Sequence, residues 1–399
     1  MSYDAIIVGG GLAGSSLADQ LAQAGHRVLV LERETQFKDR VRGENMLPWG
    51  VAAAKRLGLY DTILAAGGHP APTWCTYVMG QPTPPRDLPA TTPTGDAMLN
   101  IYHPDMQEAV IARASRSGAD VKRGATVLEL NAGPGRSPSV TYELDGARHT
   151  ESARIVVGAD GRASQMRAWG GFEVNRNEDL LTIAGMRIEG TDVPEGGAFF
   201  CMGPGCATFW APQGNKRART YFVYPGVAGK RGLSGKQKVS DFLQAARSVG
   251  TPESWLADVQ AIGPLAEFEG ADKWVESPAK NGVVLIGDAA ASTDPSWGSG
   301  LSLTMLDVEC LANALKSTTD WNAALADYAS EHDEYYGALH RVLSWMTQLM
   351  WTPGPEGDAR RARVLPRMMS DSTGFPDNVG LGPFGPSDEQ ARRLVLGLD

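Results

Sequence analysis

No stretch of this 399-residue chain carries the roughly 20 consecutive apolar residues that a membrane-spanning helix requires. Nothing at its start reads as a secretory leader, because a strand-like run begins at Tyr3 with no basic flank before it. Cysteine is scarce: Cys75, Cys201, Cys206 and Cys310 form no CxxC pair and no zinc-ligand spacing, which fits reduced thiols of a cytoplasmic protein. The six histidines are scattered, and each is read as structural, with His332 and His340 expected on a surface-facing helix. No catalytic triad and no metal cluster is apparent. A formal net charge of -9 leaves no basic face for a nucleic acid, and no block of like charge marks a tail.

Glycine, by contrast, is plentiful, and it gathers in short clusters after apolar runs. The first cluster lies in "YDAIIVGGGLAGSSLADQLAQAGHRVLVLER". An apolar run ends in Gly9-x-Gly11-x-x-Gly14, and Leu17, Leu21 and Ala24 follow at helical spacing before Gly25. A second apolar run, Val28 to Leu31, ends at Glu32. Gly9 permits a tight turn, Gly11 lets backbone approach a pyrophosphate, and Gly14 lets helix lie close on strand. The helix N-terminus offers free N–H groups to phosphate, and Glu32 can accept from a ribose diol. The pattern suits NAD and FAD equally.

A dehydrogenase would continue with regular strand–helix alternation, and this chain does not. Residues 80 to 96 read as a Pro/Thr/Gly-rich loop, 104 to 117 as a helix, and 125 to 130 with 138 to 144 as a hairpin. From about 180 to 225 the texture is alternating and aromatic, as in antiparallel strands. Helical segments are expected over about 235 to 262, 300 to 317 and 321 to 350, with a less ordered tail from 352. "RVLSWMTQLMW" (341 to 351) is amphipathic, and packing on the nucleotide-binding domain is its expected use. The fold class is therefore α/β. A Rossmann-like domain is assembled from 1–75, 97–175 and 275–330, a β-rich substrate domain from 76–96 and 176–274, and a C-terminal helical region from 331–399.

Two later segments share the glycine-marked texture: "VVGADGRAS" and "VVLIGDAAASTDPSWGSGLSL". Together with the first, over roughly residues 1 to 345, they resemble the single-component FAD-dependent aromatic hydroxylases, the group A flavoprotein monooxygenases related to p-hydroxybenzoate hydroxylase. The resemblance implies that Gly9, Gly11 and Gly14 hold the FAD pyrophosphate and Glu32 the adenosine ribose. Arg42 would lie near the ribityl and phosphate region, Asp160-Gly161 would serve both FAD and NAD(P)H, and Asp288 would accept from the ribityl chain. Pro295, Gly298 and Gly300 would shape the loop beside the isoalloxazine ring, where backbone N–H groups steady negative charge. Leu12, Ala13, Arg33, Gln107, Val127, Ser299 and Leu301 complete the expected cofactor set. The chain departs from the family pattern at His103, Trp297, Ser299 and Ser302.

Such enzymes use NAD(P)H and O2 to form a flavin C4a-hydroperoxide, so the protein need supply no nucleophile. The expected reaction is hydroxylation or epoxidation of a small hydrophobic or aromatic compound, including polyketide- or isoprenoid-type substrates, by a monomer or homodimer. Phe199, Phe200, Phe209, Trp210, Tyr221, Phe222 and Tyr224 supply the wall of a substrate pocket, about half of them facing away. Phe209, Tyr221 and Trp297 are the pocket candidates. Three other readings share the FAD machinery: a prenyl-chain reductase, a halogenase and a non-enzymatic flavin or ligand carrier. Only "FWAPQG" stands where halogenases carry a paired-tryptophan WxWxIP element.

Overall fold

The structure, a computed structural model, describes residues 3–178, 181–226 and 232–398; Leu180, at the head of the expected strand-rich stretch, lies outside them. Tyr3–Val8 forms the centre of a parallel sheet, flanked by Val28–Glu32 on one side and the end of Ala147–Gly158 on the other. Asp120–Arg123 extends one side and Val283–Leu285 the other. Val28–Glu32 is buried throughout and Tyr3–Val8 over its last four residues, which is why both read as continuous apolar runs rather than alternating ones. The Leu12–Gln23 helix covers one face with Leu17 and Leu21 fully buried, each contributing roughly 1.5–3 kcal/mol. The hairpin of Thr126–Asn131 and Ser139–Leu144 leads antiparallel into Ala147–Gly158.

A second sheet is mostly antiparallel. Leu181–Glu189, Arg217–Pro225, Cys206–Pro212 and Gly197–Gly203 lie side by side, and Thr73–Val78 joins parallel to the last. Ala266–Gly270 pairs with the outer side of Leu181–Glu189. The Gly300–Ser317 and Trp321–Trp351 helices come next in the chain. This is an α/β fold with a parallel sheet, a separate antiparallel sheet and C-terminal helices.

Several local expectations are corrected. Residues 80 to 96 hold short strands at Gln81–Pro82 and Arg86–Asp87, then a turn of helix, Leu88–Thr91, capped by Asp87. The 235 to 262 region is α-helical only over Val239–Ser248, and its far end is a strand, Gln260–Ala261. The tail is ordered into two helices, Gly354–Ser370 and Glu389–Leu396. Its Pro355 falls in a first helical turn, where the missing N–H costs nothing. His332 is fully buried among Tyr328, Tyr335 and Tyr336, and His340 is largely buried, because the Trp321–Trp351 helix is covered along most of its length. The 341 to 351 stretch is shared between units: Val342, Trp345, Met346 and Leu349 join a core with Ile183, Phe200 and Val223 of the antiparallel sheet and Val364 and Leu394 of the tail, while Leu343 joins the core of the parallel-sheet side. No helix of the described residues is long and apolar enough to cross a membrane, and no metal-ligating cluster occurs among them.

Candidate functional site

Strand register brings the three glycine-marked tips to one rim. Val8 lies opposite both Leu31 and Gly158, and Gly158 lies opposite Leu285. Gly9, Glu32, Asp160 and Asp288 therefore border one crevice at the carboxyl ends of the parallel strands, where open α/β sheets bind their ligands. Gly9 sits at φ +102°, and a Cβ on it would lie 2.3 Å from the Ala159 carbonyl oxygen. Glu32 secures the turn: Oε2 accepts from Gly10 N at 2.7 Å and Oε1 from Glu34 N at 2.8 Å. Asp160 Oδ2 accepts from Gln165 N at 2.7 Å and Met166 N at 3.1 Å, while its Oδ1 is buried with no protein partner.

The crevice continues into a cleft of about 1580 Å³, above the roughly 300–1,000 Å³ of a typical single-ligand pocket. Every expected cofactor residue lines it except Gly14 and Ser299. Gly14 instead lies under the Gly9 carbonyl, seating the helix on the strand. Ser299 is fully buried and donates to Asn378 Oδ1 at 3.0 Å. Ser302 is likewise structural: its hydroxyl accepts from Leu47 N at 2.8 Å, and Gly50 is so close that a Cβ there would meet it at 2.4 Å. A longer side chain has no room at 302.

Midway along the cleft, Pro295–Trp297 forms a tight turn capped by Asp294, whose Oδ1 accepts from Ser296 N at 2.9 Å. Burial pushes the Asp294 carboxyl up to about 6. Gly298 takes the left-handed conformation, φ +65°, and the Gly300–Ser317 helix begins with no side-chain cap, so its leading N–H groups remain free for a ligand. Behind this loop, Asp307 is fully buried. Its Oδ2 accepts from Gly287 N at 2.7 Å and its Oδ1 from Tyr335 Oη at 2.6 Å, which holds the turn that presents Asp288.

His103, expected above as a departure from the family pattern, lines the same cleft. Its Nδ1 shares a 2.9 Å hydrogen bond with the Gly43 carbonyl oxygen, and desolvation lowers its pKa, which keeps the ring neutral. Arg42 stands over the Phe268 ring at 5.2 Å. Deeper in, Asp39 and Glu44 share one buried guanidinium. Arg219 Nη2 donates to both Asp39 oxygens at 2.8 Å and lies 3.2 Å from Glu44 Oε1. Burial pushes the Glu44 carboxyl up to about 7, more than the shared arginine can offset.

Past the turn the wall becomes apolar. Alternation sorts the aromatic strands: Phe200, Phe209 and Tyr221 line the cleft, whereas Phe199, Trp210, Phe222 and Tyr224 pack on the opposite face around Trp255 and Phe242. Trp74 stacks against Phe200 at 6.2 Å and Phe209 at 6.1 Å. Trp297 faces them, its Nε1–H donating to Thr347 Oγ1 at 2.8 Å. Sequence reasoning missed the rest of this chamber. Met346 and Met350 come from the long helix, and Leu365, Met368, Pro376 and Val379 from the tail. No local motif marks these tail residues; the apolar pairing of Met368 and Met369 after a basic stretch is the one trace of an inward face.

The residues present fit a dinucleotide. An unpartnered buried acceptor, an uncapped helix start and side-chain-free backbone all border one crevice. The profile of the FAD-binding-domain family matches residues 2–336. The chain belongs to that family. It is similar to digeranylgeranylglycerophospholipid reductase 1 of Methanococcoides burtonii, 26% identical over 329 residues, covering 76% of this chain and 72% of that protein. It is also similar to rifampicin monooxygenase of Streptomyces venezuelae, 28% identical over 382 residues, covering 90% and 74%. Among solved structures, p-nitrophenol 4-monooxygenase of Pseudomonas putida superposes with TM-score 0.76 at 19% identity, covering 99% of this chain and 96% of that one. This family member is an FAD-dependent oxidoreductase.

Proposed function

We propose that the enzyme is a monooxygenase that takes electrons from NAD(P)H and uses O2 to hydroxylate or epoxidise a small hydrophobic or aromatic compound. The observation that carries this reading is the continuity of the cleft: the dinucleotide crevice opens at Trp297 directly into a chamber walled by stacked aromatics and methionines. The segments of the parallel sheet hold the cofactor in this reading, and the antiparallel sheet with the tail holds the substrate.

Bound FAD supplies electron storage and activation of oxygen. The glycine turn at Gly9 and Gly11, with Glu32 beyond it, holds the phosphate and ribose end, and Asp288 accepts from the ribityl hydroxyls. The free N–H groups at Gly300 and Leu301, at a helix N-terminus, would favour negative charge on a bound flavin. Trp74, Phe200 and Phe209 orient a flat substrate, and the apolar walls exclude water from the reacting atoms. Met346, Met350 and Met368 adapt the chamber to an irregular outline.

The resemblance to a prenyl-lipid reductase supports a second reading, saturation of an alkene without oxygen. Such a reaction requires a proton donor beside the double bond. Tyr221 and Glu44 both line the cleft as candidate donors, and burial raises the pKa of each. The test is NAD(P)H oxidation by the purified yellow protein against aromatic and isoprenoid panels, with and without oxygen. Substrate-stimulated, oxygen-requiring consumption with an oxygenated product supports the monooxygenase. Turnover that persists without oxygen and yields a saturated product establishes the reductase.

A further inference from the structure

The family match ends at residue 336, yet the segment 376–382 reaches back to the loop assigned above to the flavin ring. Asn378 is its point of contact. The Asn378 Nδ2–H donates to the Trp297 carbonyl oxygen at 3.0 Å, and Oδ1 accepts from the Ser299 hydroxyl at 3.0 Å. Its own carbonyl oxygen accepts from Trp49 Nε1 at 3.0 Å. Each amide end of this largely buried side chain therefore has a partner, and two of its three partners flank Gly298, the left-handed residue of the loop.

The segment is anchored on both sides of Asn378. Arg86, from the antiparallel sheet, grips Asp377 with two nitrogens, at 3.0 and 2.7 Å. A Cβ on Gly380 would lie 2.5 Å from Asp377 Oδ2 and 2.8 Å from Arg86 Nη2, so a side chain there would displace the pair. Gly382, at φ +55°, seats the chain so tightly on the Trp49 indole that a Cβ would fall 2.4 Å from it.

We propose that Asn378 is a positioning residue for the cofactor: from outside the family-matched region, it sets the Trp297–Gly300 backbone and thereby the aim of the helix start at the flavin. The proposal rests on the assignment of that loop to FAD. It also gives Ser299 a purpose, as the hydroxyl through which the tail holds the loop.

The test compares Asn378→Ala, Asn378→Asp, Ser299→Ala, the Asn378→Ala/Ser299→Ala pair and, as a control, Phe384→Ala at an exposed tail position. The measurements are the FAD dissociation constant of the apoprotein and the visible circular dichroism of bound flavin, taken without NAD(P)H or substrate. Asn378→Ala is expected to weaken FAD about five- to tenfold, the range of one or two lost hydrogen bonds, and to alter the flavin band. Asn378→Asp keeps the acceptor for Ser299 but sets an oxygen against the Trp297 carbonyl, so it weakens FAD at least as much as Asn378→Ala, and the pair is no weaker than Asn378→Ala alone. Wild-type affinity and an unchanged band in Asn378→Ala and Asn378→Asp overturn the proposal, as does an equal loss in Phe384→Ala. Where Asn378→Ala does not fold, Asn378→Asp and Ser299→Ala decide. Turnover without oxygen defeats the monooxygenase reading alone, whereas a chain that takes up no FAD defeats both.

Discussion

Gly14 lies so close to Gly9 that a Cβ on the former would stand 1.9 Å from the carbonyl oxygen of the latter. The obstacle is backbone, so no rotamer can relieve the clash. Gly14→Ala is expected to destabilise the protein by about 3 kcal/mol, at the upper end of overpacking costs, and to strip it of FAD. Urea denaturation and the flavin absorbance of the purified variant measure both; a yellow variant of normal stability contradicts the placement of this helix.

Asp307 offers a second test, because its two oxygens serve different partners. Tyr335→Phe removes one hydrogen bond and should cost about 1 kcal/mol. Asp307→Ala leaves both the Gly287 N–H and the Tyr335 hydroxyl buried and unanswered, at about 3 kcal/mol. In the double variant the orphaned hydroxyl is gone too, so its cost is no greater than that of Asp307→Ala alone and falls below the sum of the two. Additive losses in denaturation show that the two residues do not meet.

Glu44 contributes to the pH dependence of stability, beside Asp294, whose carboxyl is also raised by burial. The folded pKa of Glu44, about 7, lies above its ordinary value of 4.5, so the folded state binds the proton more tightly than the unfolded one. This contribution is therefore greatest below the ordinary value and falls as pH rises through the window between the two, by about 3 kcal/mol in all. Glu44→Gln removes this share of the slope. Denaturation from about pH 5 to about pH 8 should show a declining wild type and a flatter variant, and parallel curves exclude the assignment.

Trp74 carries two stacked pairs and touches none of the glycine turns. Trp74→Ala should raise KM for aromatic substrates about tenfold, the combined worth of two aromatic contacts, while FAD content stays unchanged. Equal KM values with lower flavin content place the tryptophan in the wrong half of the cleft.

The glycine-marked crevice was readable because its parts are local. A strand, a glycine spacing and a helix lie within a few residues of one another, and each glycine answers to a close approach that leaves no alternative. The aromatic strands were readable for the same reason, since alternation alone separates Phe200 and Phe209 from Phe199 and Trp210. Burial of His332 was not, because its neighbours Tyr328 and Tyr336 sit at helical spacing that suits a wet face and a covered one equally well. Nor was the tail. Its glycines and prolines read as disorder, yet Gly380 and Gly382 are there because Arg86 and Trp49, each far earlier in the chain, press against them. Contacts of that range leave no period in the sequence.

The family match stops at Tyr336, partway along the Trp321–Trp351 helix, and the chain beyond that point lines the chamber and meets the Trp297–Gly300 loop through Asn378. In the proposed reading the compound meets both stretches, Trp74, Phe200 and Phe209 before that point and Met346, Met368 and Val379 after it. Grafting the last stretch from a cousin would alter what is oxidised and leave the machinery of reduction as it was, provided the newcomer brought its own answer to Asn378.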